Sequence, residues 1–205
     1  MEVGPKNRPQ GDRTVQKKTE RKFYLKHFKA ISRAIASYED LNTLMKHLAE
    51  GTARTFNAKG VSIMLLDEQD EKANQLVHVA SYGISEDYLY KGPVFVDIED
   101  CAVCKGVPVF VEDMQHDSRV QYPEAAIKEG IKSMLSIPIR CREAILGILR
   151  IYYAEPCLLD EEDIDSLSIL TSLLGVVIEN SGLRNFLDQI KNALASLPPR
   201  MLKDL

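Results

Sequence analysis

Residues 106–139 read GVPVFVEDMQHDSRVQYPEAAIKEGIKSMLSIPI, and three structural rhythms follow one another inside that stretch. VPVFVED (107–113) is short, β-branched and apolar, the composition of a strand. HDSRVQYPEAAIKEG (116–130) reads as a loop running into a short helix that Gly130 stops. IKSMLSIPI (131–139) is a second strand, and AILGILRIYY (144–153) a third, around the tight turn RCRE (140–143). Connections this tight favour antiparallel pairing.

The pattern extends outward in both directions. Upstream, Tyr24, Phe28, Ile31, Ile35 and Tyr38 recur at spacings of 4, 3, 4 and 3, one stripe of a first helix that begins near Arg21. SYED (37–40) breaks that rhythm. Leu41, Leu44, Met45, Leu48, Ala49, Thr52 and Phe56 then line a second helix, with Asp40 as its cap and Asn57-Ala58-Lys59-Gly60 as its glycine stop. GVSIMLLD (60–67) and QLVHVASYG (75–83) read as strands on either side of a polar hairpin loop, DEQDEKAN (67–74). SEDYLY (85–90) suits a helical turn, and KGPVFVDIEDCAVCKG (91–106) is irregular. Downstream, Asp160-Glu161-Glu162-Asp163 opens a long helix with acids at its positive end, running to about Leu197 before Pro198-Pro199. Helices flanking short antiparallel strands predict an α+β fold.

Composition bounds the function. The chain has 205 residues and a net charge of −4, so it has no general electrostatic reason to bind nucleic acid or an anionic membrane. It holds no run of about 18 apolar residues, and its first twenty lack the apolar core of a secretory signal. Residues 1–20, polar and basic, read as a disordered tail. Four cysteines do not make a disulfide scaffold. The expectation is a cytoplasmic chain with neither nucleic acid nor membrane as partner.

YGISEDYLYKGPV (82–94), the 106–139 block, AILGILRIYYAEP (144–156) and an acid-capped helix containing VVIEN (176–180) together resemble a GAF domain of the sensory kind found in bacterial signalling proteins. Gly106–Val109, Asp113, Asp117, Arg119, Gly130–Ile131, Ser133, Leu135, Pro138 and Gly147 follow the family pattern in order, and the resemblance spans roughly residues 23–185. It implies a central antiparallel sheet of about six strands. The first, second and last helices would lie on one face, with loops and short helices over a ligand pocket on the other. It also implies a domain at 21–185 with a helical extension at 186–205. A family fold names no ligand.

Strand alternation proposes pocket residues. Ser62 and Met64, and likewise Met134 and Ser136, form mixed sets suited to a cavity with polar handles. His78 and Tyr82 share a face of the second strand and are candidates to look into the same cavity. Tyr88, Asp113 and Tyr122 lie in the segments that would cover the pocket. Cys101 and Cys104 have C-x-x-C spacing, but Cys141 and Cys157 are single, so four zinc ligands are not at hand and no metal is expected. The pair reads either as small side chains shaping the pocket or as a reversible dithiol, with Lys105 beside it to favour a thiolate. Free methionine sulfoxide reductases of this family need a cysteine in the loop that here reads MQHDSRVQYPEAAIKEG, which has none. The cyclic-nucleotide signature and a bilin-attachment cysteine are missing too. A binding domain rather than an enzyme is the expectation, its cofactor unassigned.

The last helix carries a second message. Leu173, Val176, Asn180, Leu183, Leu187, Ile190 and Leu194 alternate spacings of 3 and 4, a heptad seam with Asn180 at an a position. Tyr24, Phe28, Ile31 and Ile35 of the first helix could join it in a four-helix bundle. The expected state is a homodimer that binds a small molecule and signals to a separate effector protein.

Overall fold

β1 (Gly60–Leu66), β2 (Gln75–Tyr82), β3 (Val94–Phe95), β4 (Val109–Val111), β5 (Ser133–Cys141) and β6 (Ala144–Tyr153) form one sheet in the order β3-β2-β1-β6-β5-β4, every pairing antiparallel. Five helices complete the α+β fold: α1 (Leu41–Thr55), α2 (Glu86–Leu89), α3 (Ala102–Lys105), α4 (Pro123–Glu129) and α5 (Glu161–Ala195). The computed structural model describes residues 40–67, 75–96, 100–156 and 159–195, with side chains as far as 192, together with Lys29, Arg33, Ile35 and Ser37. The chain divides into two units, Met1–Tyr38 and Glu39–Leu205. The four described residues of the first unit are helical. The expected tail at 1–20, Tyr24, Phe28, Ile31, the loop beyond Asp67 and the side chain of Leu194 lie outside the described residues.

α1 starts where the sequence says it should. The Asp40 carboxylate accepts from the Thr43 N–H at 2.8 Å, satisfying a donor that the first turn leaves open. Leu44, Met45, Leu48, Ala49, Thr52 and Ala53 are buried against β1 and β2. The stop differs from expectation. Asn57, at φ 47, takes the left-handed position after the helix, and Gly60 begins β1 instead.

α5 is capped in the same way, with the Asp163 N–H donating to Asp160 at 2.8 Å. Leu167, Leu170, Thr171, Leu174 and Val177 are buried, and the helix packs mainly on β5. By length and composition alone α5 could cross a bilayer, but these apolar residues already serve the sheet. The two halves of α5 therefore differ. Val176, Leu183, Phe186, Leu187 and Ile190 are all exposed, Leu183 by 56 % and Phe186 by 58 %.

Residues paired across an antiparallel ladder share a face of the sheet. Ile63, Leu149 and Ile137 form one row, and Val61, Ile151 and Leu135 the next, each no more than 1 % exposed and on the side of α1 and α5. On the opposite side a row runs Ser62, Arg150, Ser136, Val109. β2 does not keep its alternation. The register slips between Ile63 and Met64, so His78 pairs with Met64 while Ala80 pairs with Ile63, and Val79 is the extra residue of a β-bulge. His78 and Tyr82 consequently lie on opposite faces, correcting the shared-face expectation. Tyr82 pairs with Val61, and its ring lies 5.9 Å from the Arg54 guanidinium of α1. The segment 91–106 is also more regular than expected, since it contains β3 and α3, and the strand expected at 107–113 is trimmed to three residues.

Candidate functional site

Two adjoining cavities lie between the Ser62–Arg150–Ser136 face of the sheet and the segments that cover it. The first, about 330 Å³ with its mouth, is lined by Tyr88, Lys91, Arg119, Tyr122, Met134 and Arg150 among others. The second, about 440 Å³ with its mouth, lies toward Leu76, Cys101, Ala102, Ser136 and Ile148. Arg119, Met134 and Arg150 line both, so these three side chains form the partition between them.

The partition sits between two apolar clusters. Tyr88, Val111, Met114, Ala126, Ile131, Met134 and Tyr152 pack on one side, and Met64, Leu76, Val94, Ala102 and Ile148 on the other. Tyr88 and Tyr152 meet edge to face, with ring centroids 5.7 Å apart. Side-chain to backbone hydrogen bonds stitch the cover together. The Gln121 side chain accepts from the Phe95 N–H at 3.0 Å and donates back to the Phe95 carbonyl. The Tyr122 hydroxyl donates to the Pro93 carbonyl at 2.6 Å. Gly92 makes that contact possible, because a Cβ there would lie 2.6 Å from the Tyr122 hydroxyl. Arg119 donates to the Phe110 carbonyl at 3.2 Å and binds Asp117 at 2.8 Å, tying the loop to β4.

Charge on the first cavity is one-sided. Lys91, Arg119 and Arg150 line it, and among the described residues no acidic side chain does. Asp117 compensates Arg119 and is itself held below the usual carboxylate range by that partner. Among the described residues Arg150 has no such partner, and its buried Nε makes no hydrogen bond. The Lys91 ammonium lies 3.8 Å from the Tyr88 ring centroid and donates to the Tyr88 carbonyl at 3.0 Å. Burial, and then the Arg150 charge, push its pKa down to about 8. Burial also pushes His78 down, with Lys91 adding to it. Its Nε2 is buried without a partner.

The expected pocket residues separate into three groups. Tyr88, Cys101, Tyr122, Met134 and Ser136 line the cavities. Ser62, Met64 and His78 lie on the same face just outside them: the Ser62 hydroxyl meets the Tyr152 hydroxyl at 3.0 Å, and Met64 belongs to the second apolar cluster. Tyr82, Asp113 and Cys104 are misplaced expectations. Tyr82 is turned away by the bulge. Asp113 is exposed and caps its own loop, accepting from the Gln115 N–H at 2.9 Å and bonding His116 at 2.7 Å. Cys104 is exposed outside the second cavity. The sulfurs of Cys101 and Cys104 are nonetheless 3.1 Å apart, because Cys101 caps α3 and Cys104 closes its first turn. Lys105 is paired with Asp100 at 2.6 Å, so it serves that carboxylate rather than the thiols. Cys141 is a thiol donor to Glu179 at 2.7 Å, and that contact pushes its pKa up. No three His, Cys, Asp or Glu side chains converge as a metal site among the described residues.

Lys91 and Arg150 are the site residues that pattern reading missed. Arg150 is the one charge in AILGILRIYY, and its parity with Ile148 and Tyr152 already places it on the cavity face. Lys91 sits in a Gly-Pro segment without periodicity and leaves no such trace. A test of the cavity floor is Tyr152→Phe: losing the buried bond to Ser62 lowers stability by about 1 kcal/mol, read as a lower urea midpoint at unchanged slope.

The GAF domain family profile matches residues 39–179, more than half of the chain. Among solved structures, the GAF domain of an Acinetobacter phosphoenolpyruvate-protein phosphotransferase is similar, at 19% identity and a TM-score of 0.65 over 79% of this chain and 96% of that one. The GAF domain of a putative sensor histidine kinase from Pseudomonas syringae pv. tomato is similar at 16% identity and 0.65, over 86% and 98%. A free methionine-R-sulfoxide reductase from Neisseria meningitidis, in complex with its substrate, is similar at 19% and 0.64, over 78% and 91%. No curated protein sequence matches significantly. At these identities the structural likeness concerns the fold.

Proposed function

The chain belongs to the GAF domain family, and from that premise we propose that it is a cytoplasmic sensory domain of signal transduction that binds a small molecule beneath residues 84–130 and works as a homodimer through α5. The partitioned cavity carries the first half of this reading. It has formed walls, a cover stitched by Gln121 and Tyr122, and a buried guanidinium with an unmet donor. Such a group costs stability unless something supplies its partner. The likeness to a sensor kinase's GAF domain is in keeping with a signalling role.

The outer half of α5 supports the second half of the reading. A helix of 35 residues extends beyond the sheet with Leu183, Phe186, Leu187 and Ile190 exposed, and an isolated stretch of this kind is marginal in water. Heptad spacing continues without a break from Leu173, packed beside the sheet, to Ile190, which suits a second copy meeting it in register. One helix thereby touches β5 at one end and a partner at the other, so ligand-dependent shifts of β5 would reach the dimer seam and a separate effector protein. The domain acts by binding, not catalysis. Small-angle scattering at tens of micromolar tests this: a dimer is expected, and a monomer removes the helical output.

A thiol-redox reading has one observation in its favour, the 3.1 Å approach of Cys101 and Cys104. An oxidised low-molecular-weight disulfide would take two electrons and two protons from the pair, closing one protein disulfide and releasing two thiols. On this reading, mild treatment with oxidised glutathione removes two titratable thiols and lowers the intact mass by two hydrogens, and Cys101→Ser prevents both. A persistent Cys101 and Cys104 dithiol under that treatment would reduce the pair to pocket lining.

A further inference from the structure

We propose that the first cavity is a receptor for a small dianion, an organic dicarboxylate or a phosphate ester, held between the guanidinium of Arg150 and the ammonium of Lys91. The inference rests on the binding-domain reading and names the class of molecule.

The argument is one of uncompensated charge. Of the three cations lining the cavity, Arg119 has Asp117, whereas among the described residues no ion pair reaches Lys91 or Arg150. The described carboxylates nearby have other partners, although the Glu129 charge also acts on Lys91. Asp100, on the wall of the second cavity, binds Lys105. Glu129 accepts from the Ser85 N–H at 3.1 Å and from its hydroxyl, and lies 3.7 Å from Lys59. Two positive charges that weaken one another are thus held in one partly dry space. Tyr88, Tyr122, Val94 and Met134 form its walls. An anion bridging them removes their repulsion and supplies the missing acceptor at Arg150, whose planar fork suits a carboxylate or phosphate edge.

Proton linkage follows. The groups facing Lys91 are Arg150 on β6, His78 on β2, Tyr88 on α2, Tyr122 and Arg119 in the cover, and Glu129 on α4. With a free-state pKa of about 8, Lys91 is mostly charged at pH 7. A dianion binds the charged form, raises that pKa and takes up protons. Affinity is therefore flat below pH 7 for a fully ionised dicarboxylate, and falls as pH rises through 8 by up to about tenfold per unit.

The test is thermal melting of the full chain with succinate, inorganic phosphate and uncharged succinamide, at constant ionic strength. A saturable rise in Tm with succinate or phosphate is expected, and whichever of the two is stronger identifies the carboxylate or the phosphate source. Arg150→Met and Lys91→Met each weaken the apparent affinity by at least about tenfold, the loss of one charge-assisted contact. Lys46→Gln, on α1 across the sheet, changes nothing. Without ligand, Arg150→Met melts at the same temperature as the parent or higher, because it removes an unpartnered buried charge. A lower melting temperature would show a structural role for Arg150 and overturn the proposal. So would a dianion response that Arg150→Met leaves intact. If succinamide alone gives the saturable shift, the cavity binds but the anionic class is wrong. If none of the three does and the purified chain carries no small molecule, the binding-domain reading fails with it.

Discussion

On the proposed pairing through α5, Leu187→Asp is expected to convert the dimer into a monomer while leaving the fold intact. Leu187 lies on the heptad seam and is 54 % exposed in the single chain, so its loss removes nothing that the sheet depends on. In a parallel dimer the substitution acts twice. Each copy forfeits the burial of one leucine, about 1.5–3 kcal/mol, and places a carboxylate against its twin. The burial loss alone comes to about 3–6 kcal/mol, which raises the dissociation constant by a factor between about one hundred and about twenty thousand. Sedimentation velocity reads the effect, and an unchanged far-ultraviolet circular dichroism spectrum shows that the monomer is folded. A Leu187→Asp chain that still sediments as a dimer would place the interface elsewhere.

The second large effect is on folding. Gly147 sits on β6 between β1 and β5, paired with Leu65 and Ile139. A Cβ at this position would collide with the Met64 carbonyl and lie 2.7 Å from the Leu65 Cα, both of them backbone. No rotamer change relieves a clash with the main chain of the neighbouring central strand, so the sheet must part locally. Gly147→Ala is expected to cost about 3 kcal/mol or more, at the upper end of overpacking effects, and to lower the urea midpoint accordingly. Gly147 matched the family pattern in the sequence, and the structure supplies the reason in the approach of β1. Full stability in this variant would mean that the β1–β6 register is wrong.

Particular residues show how far the sequence could be read. The helix starts were legible because a cap is a local event: Asp40 and Asp160 each bond a backbone N–H three residues on. The central strands were legible because β1, β5 and β6 are buried along most of their length, leaving long apolar runs. Parity along β2 was not, since one bulged residue at Val79 inverts every later side chain without changing composition. That inversion alone removed Tyr82 from the pocket. Asp113 was misplaced for a different reason: a loop acid that caps its own turn looks, in sequence, like one reaching for a ligand. The decisive cations differ in legibility. Arg150 could be placed on the cavity side by strand alternation, and Lys91 depends on a backbone path through Gly92 and Pro93 that no periodicity announces. The exposed seam of α5 was readable from spacing alone, because the heptad is a property of the helix itself.

On the proposed reading, the covered face of the sheet would hold the ligand, and β5 would connect that face to α5 as the dimer helix. Met134 and Ser136 border the cavities from β5, and Gly175 of α5 lies against the backbone of Arg140 and Cys141 on the same strand. A movement of the cavity wall is thus one strand away from α5.

Native mass spectrometry of the purified full chain tests this account most directly, since one spectrum reports both assembly and occupancy. The account predicts a dimer that takes up one dianion per chain when succinate or phosphate is added, with uptake lost in Arg150→Met and the dimer retained. A monomer that remains bare under the same conditions would contradict it.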